Sequence, residues 1–168
     1  MDEIEARVVA ALDATGLPYQ LIECDPAFAD TAAFCERYGY EPERSANTIV
    51  VATKKEPKRF AACVVLATTR LDVNNVVRRR LGGGKASFAS ADDTMALTGM
   101  AIGGVTALAL PDGVDLWVDG RVMALPSIIL GGGSRSMKVD VTPTVFERLP
   151  NTEVVDDLAM AAGAPREA

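Results

Sequence analysis

The chain has no histidine among its 168 residues, and that gap removes several kinds of chemistry at once. Ser-His-Asp and Cys-His catalysis both place an imidazole at the centre of proton transfer, and nothing here can take that place. The commonest zinc ligand is missing too. Cys24, Cys35 and Cys63 form no CxxC pair, so a metal site is not expected, and neither is a cofactor. With no secretion signal in view, the three cysteines read as free, buried thiols. Long apolar runs are also lacking: the stretches 49–52 and 61–67 fall far short of the roughly 20 residues that span a bilayer. Asp2, Glu3 and Glu5 stand where a basic leader would begin, so a cytoplasmic location is expected and no membrane partner. A net charge of −6 argues against a general nucleic-acid binder. Any chemistry is left to carboxylates, lysines, backbone amides, bound water or the substrate's own hydroxyls.

What is present suits one compact domain over 1–168, with 49% hydrophobic residues and no linker or repeat. Ile4, Val8, Ala11 and Leu12 recur at helical spacing, and Gly16 with Pro18 ends that helix. A strand over 19–23 and a helix over 31–38, capped by Asp30 or Thr31, follow. Runs 48–53 and 60–67 flank a polar turn and read as a hairpin. Val73, Val76, Val77 and Leu81 line one face of a further helix. Ser90 to Asp93 has the form of a capping box for a helix that closes at Gly99. Strands are expected at 116–118, 127–130 and 138–141, and Thr142-Pro143 opens another helix. The pattern predicts an α/β (α+β) fold: one mixed, mostly antiparallel sheet with short helices around it.

Two glycine-rich segments bear on function, Gly103-Gly104-Val105-Thr106 and Gly131-Gly132-Gly133-Ser134-Arg135. Each is either a tight turn or a place where backbone N–H groups approach a ligand and hold a developing negative charge. Gly82-Gly83-Gly84-Lys85 follows a helix rather than a strand, which makes it a poor phosphate loop and excludes nucleotide hydrolysis. Basic residues cluster at Lys54, Lys55, Lys58 and Arg59, and again at Arg78, Arg79, Arg80 and Lys85. They read either as a solvated face or as phosphate contacts. Three consecutive helical arginines point about 100° apart and cannot all face one partner.

Taken in order, Thr31-Ala32-Ala33, Ala46-Asn47-Thr48, Arg70-Leu71-Asp72-Val73, Thr98-Gly99 with Gly103-Gly104-Val105, and Gly131-Gly132-Gly133-Ser134-Arg135 resemble the YbaK and prolyl-tRNA synthetase insertion-domain family. The resemblance runs over roughly 1–160. It implies hydrolysis of the ester that joins a wrong amino acid to tRNA, with mischarged aminoacyl-tRNA as substrate and an aminoacyl-tRNA synthetase as a further partner. It also implies a pocket that sorts amino acids by size, in which backbone donors and the neighbouring ribose hydroxyl place the water.

Carried onto this sequence, the family's Gly-x-x-x-Pro loop becomes Gly103 to Ala107, with alanine in the proline's place and Pro111 too far along to substitute. The family's functional lysine corresponds to Asn47, which can hydrogen-bond but brings no charge. A serine and an acidic residue of some members correspond to Gly131 and Lys138. The resemblance therefore implies Asn47, Gly103 and Gly104 as catalytic residues. Thr31, Val105, Thr106, Gly131, Gly132, Gly133, Ser134 and Arg135 are implied around the substrate, and Lys54, Lys55, Arg78, Arg79 and Lys85 against tRNA. Gly104→Val is expected to fill the pocket while sparing the fold, and Asn47→Lys to restore the family residue. A deacylase, a tRNA- or aminoacyl-binding module without turnover, and a site for an unrelated small ligand all remain open.

Overall fold

Local capping chemistry sets the helix ends in the computed structural model, which describes residues 1–162. Helix α1 (Glu3–Thr15) begins where the Glu5 N–H donates to Asp2 Oδ1 at 2.7 Å, and Gly16 ends it at φ 71°. Strand β1 is Tyr19–Glu23. Helix α2 (Thr31–Tyr38) is capped by Asp30 through its backbone position alone. Thr31 is thus the first helical residue, and its hydroxyl is available for another partner.

The expected hairpin forms from β2 (Ala46–Thr53) and β3 (Phe60–Leu66), paired antiparallel from Ala46↔Leu66 to Ala52↔Phe60. Strand β3 alternates between two cores, which accounts for its unbroken apolar sequence. Ala62 and Val64 face Leu12, Leu116, Val118 and Phe146, whereas Ala61, Cys63 and Val65 face Trp117, Leu81 and Leu158. All three cysteines are free and buried, as expected. Burial pushes the Cys63 thiol up to about 12, which leaves it inert.

The helix expected after Asp72 is largely a wide π-turn over Val73–Val77, followed by α3 (Arg78–Arg80). Asp72 ties down the Asn75 N–H, and the wide turn sets Val77 and Leu81 into the second core. The three arginines diverge as helical geometry requires. Arg80 pairs with Glu153 at 2.7 Å and lies 4.8 Å from the Trp117 ring, Arg78 donates to Gly83 O, and Arg79 projects outward.

Short strands too brief for a visible period complete the sheets. These are β4 (Thr69–Leu71) and β5 (Ala86–Phe88), which precede helix α4 (Ala91–Thr98). Strand β6 (Asp115–Asp119), the single turn α5 (Gly120–Met123), β7 (Ile128–Gly131) and β8 (Met137–Val141) follow. The helix expected at Thr142-Pro143 is a 3₁₀ helix over Pro143–Arg148, and β9 (Thr152–Val155) and β10 (Ala159–Ala161) come last. Instead of one sheet there are three among the described residues. One is five-stranded in the order β5-β2-β3-β6-β9, parallel at β3-β6 and β6-β9. The others are β1-β8-β7 and β10-β4. A bridge between Ser45 and Ile129 joins the first two. The result is a mixed α/β domain, mostly antiparallel. No helix among the described residues is long and apolar enough to cross a membrane.

The two glycine segments meet backbone to backbone. Gly133 N–H donates to Gly104 O at 2.8 Å. A Cβ at Gly104 would lie 2.5 Å from the Ser134 carbonyl carbon, and one at Gly131 would lie 2.5 Å from Val105 O. A side chain at 104 therefore does not simply fill a cavity, contrary to the expectation for Gly104→Val; it drives the two loops apart. Gly104→Ala is expected to lower stability by about 2 kcal/mol, read as a reduced urea midpoint. An unchanged midpoint would refute the close packing.

Candidate functional site

Where α2, β2, β7 and β8 converge beneath these loops, the fold leaves a cavity of about 390 Å³. That is a volume suited to a small ligand. Its floor is apolar, with Ala29, Phe34 and Ile129 from a small cluster of their own and Ile49 and Val50 from β2. Phe34 is held by stacking against Tyr40 at 5.3 Å.

Asp30, Ser45, Thr48 and Thr94 are among the polar residues of the wall, and three further places supply donors. Thr31 Oγ1 donates to Asn47 Oδ1 at 2.7 Å, which fixes the amide and leaves its NH₂ without a partner among the described residues. Asn47 thus presents two donors to the cavity. Along the loop wall, Gly104 N–H is already bound to Ala101 O, whereas the N–H groups of Gly103 and Val105 have no partner among the described residues. The third group is Lys138, only 7% exposed, in the middle strand of its sheet between Ile22 and Gly131. Its ammonium donates to Ala29 O at 2.6 Å and lies 5.4 Å from the Phe34 ring centroid.

Burial pulls the Lys138 pKa below the ordinary lysine range. Cys24 and Asp30 oppose that shift, Arg135 adds to it, and Cys35 opposes it as well. The sequence showed this residue only as one of two charged residues, with Asp140, in the alternating stretch 137–141. It stands where some family members have an acidic residue, and its place in the middle strand of its sheet, with partners on both edges of β8, is not revealed by sequence spacing.

Thr31, Asn47, Gly103, Val105 and Gly131 all line the cavity. The remaining loop residues lie outside its wall and fasten it. Thr106 is fully buried and its hydroxyl accepts from Leu108 N–H. Gly132 and Gly133 pack closely on Met137 and Ile4. Ser134 donates to Glu5 Oε1 at 2.8 Å. Arg135 is a clamp that donates to Pro26 O, Ile102 O and Asp30 Oδ1, so one guanidinium ties three loops around the rim. A side chain at Gly103 would run into it. Lys54 and Lys55 sit on the hairpin turn, and Arg78, Arg79 and Lys85 are exposed around the next turn, all outside the cavity. Phe34, Ser45, Phe88 and Thr94 line the cavity without having stood out in the sequence.

The fold has close counterparts among solved structures. One, described as a candidate trans-editing enzyme for prolyl-tRNA synthetase, is 22% identical with a TM-score of 0.79, over 96% of this chain and 99% of that one. A scaffold protein used for grafting linear epitopes is 21% identical with a TM-score of 0.77, over 96% and 100%. A hypothetical protein is 24% identical with a TM-score of 0.77, over 89% and 97%. At these identities the likeness establishes the fold. The aminoacyl-tRNA editing domain matches residues 25–149, a span that contains every residue of the cavity wall. On that match the chain belongs to the aminoacyl-tRNA editing domain family.

Proposed function

We propose that the chain is an aminoacyl-tRNA deacylase acting in trans on the ester of a mischarged tRNA. The observation that carries this reading is a cavity of amino-acid size whose wall brings together several hydrogen-bond donors: the Asn47 NH₂, the Gly103 and Val105 N–H groups, and the Lys138 ammonium.

The aminoacyl group enters with its side chain on the apolar floor. Water attacks the ester carbonyl carbon, and the carbonyl oxygen takes up the negative charge against these donors. The bond to the ribose oxygen then breaks. The amino acid departs as a carboxylate, the ribose hydroxyl regains its proton, and one proton passes to solvent. An activated ester needs no imidazole for this; positioning and charge stabilisation supply the acceleration. The exposed Lys54, Lys55, Arg78, Arg79 and Lys85 contact the tRNA backbone. Asn47→Lys would set a second ammonium in a cavity that already contains one, and like charges disfavour each other's protonation.

Asn47 in the family lysine's place favours a second reading, a tRNA-binding module without turnover. Purified protein is expected to shorten the lifetime of at least one misacylated tRNA in a panel of small and medium amino acids. Salt-sensitive tRNA binding with every ester decaying at its spontaneous rate would select the binding module instead.

Lys138→Met keeps the length and removes the charge. It is expected to lower kcat/KM about a hundredfold, with a folded far-UV spectrum. Wild-type turnover in this variant would remove Lys138 from the chemistry.

The lowered pKa also has a signature in stability. The folded state loses the Lys138 proton at lower pH than the unfolded chain does, so the unfolded state binds more protons between the two values. Stability relative to Lys138→Met is therefore expected to rise with pH through that window, which lies at and below the ordinary lysine range. Urea titrations of both proteins from neutral to alkaline pH measure this difference. A flat difference would contradict the buried ammonium.

A further inference from the structure

Beside the cavity lies a second hollow of about 220 Å³, bordered by Asp72, Asn74, Asn75, Ser87 and Met160. Phe88 is the wall the two share. Phe88 is 57% exposed, one of the few large hydrophobic residues left open to solvent among the described residues. It belongs to β5, an edge strand that pairs with β2 and, among the described residues, has no strand on its other side, where the hollow separates it from the turn at 72–75.

The charge of the chain is divided around this spot. Residues 54–85 hold nine of the 17 Lys and Arg but only two of the 23 Asp and Glu, a net +7 against −13 for the rest. Lys54 N–H donates to Lys85 O, which fastens the hairpin turn to the start of β5. Lys85 is three residues from Phe88, about 10 Å along a strand. Among the described residues the side chains of Lys54, Lys55, Arg79 and Lys85 make no ion pair or hydrogen bond. Phe88 thus separates the cavity from the hollow, and the chain that enters β5 at Ala86 comes directly from Lys85, which is tied to Lys54.

We infer that this hollow receives the unpaired base preceding the terminal adenosine of the tRNA acceptor strand, stacked on Phe88, with the phosphates beyond it led to the basic cluster. The inference rests on the editing reading of the cavity, which places the strand's terminal ester on the other side of the same ring. An exposed aromatic face stacks on any base. Asp72 selects further. Its Oδ1 accepts from the N–H and side-chain amide of Asn75, which leaves Oδ2 to accept from an exocyclic amine such as that of cytosine. The exposed Asn74 amide supplies both a donor and an acceptor at the same rim.

The test is a two-by-two binding comparison by fluorescence anisotropy at low salt. It uses a labelled, unacylated single-stranded RNA ending in CCA, the same RNA with an abasic penultimate position, wild-type protein and Phe88→Ala. Phe88→Ala is expected to weaken binding of the intact RNA about tenfold, to leave the abasic RNA unchanged, and to be rescued by Phe88→Trp. A 5-iodocytidine at the penultimate position is expected to photocrosslink to the peptide carrying Phe88.

Equal losses on both RNAs, no loss on either, a crosslink elsewhere, or no binding by the wild type would each overturn the inference. Hydrolysis does not enter this readout, so the two readings fail separately. Phe88-dependent RNA binding without deacylation sinks the hydrolytic reading alone. Deacylation indifferent to the penultimate base sinks the hollow alone.

Discussion

The site depends on two stretches of main chain lying against each other with no side chain between them. Gly104 and Gly131 approach Ser134 and Val105 so closely that a single methyl group would part them, and the Gly133–Gly104 hydrogen bond closes the seam. Arg135 then spans three loops with one guanidinium. A wall built of backbone has no rotamers to adjust, so its shape is set before a ligand arrives. The size of whatever such a cavity admits is limited by geometry that folding has already fixed.

Within that frame the cavity contains a cation in an unusual place. A lysine in the central strand of a sheet sacrifices hydration and retains one carbonyl, one aromatic face and the nearby Asp30 carboxylate in exchange. Its charge is felt strongly because the same burial removes competing water. Asn47, held by Thr31, adds orientation without charge. The lack of histidine in the sequence is thus consistent with a site that stabilises developing charge and leaves proton transfer to water and substrate.

Much of this architecture was legible in the sequence because it rests on local rules. The cap at Ser90, the stops at Gly16 and Gly99, and the β2-β3 hairpin all follow from short-range chemistry. The cavity-lining positions Thr31, Asn47, Gly103, Val105 and Gly131 came from matching motifs in order. What escaped depends on contacts distant in sequence. The burial of Lys138 needs β1 and β7 on either side. Arg135 reads as a substrate ligand until Pro26 and Ile102 are seen to occupy it, and the three-residue strands are too short to show a period. The π-turn after Asp72 escaped because its apolar spacing satisfies a helix nearly as well.

The unequal distribution of charge has a consequence for encounter as well as for grip. A body at −13 joined to a segment at +7 is a dipole, and a polyanion turns it before touching it. Approach of a polyanion to most of the chain is resisted, so collisions are funnelled towards the 54–85 segment. At physiological ionic strength that influence reaches only about 8 Å, roughly two strand spacings. The protein is thus oriented only in the last moments of approach, and added salt shortens that reach further.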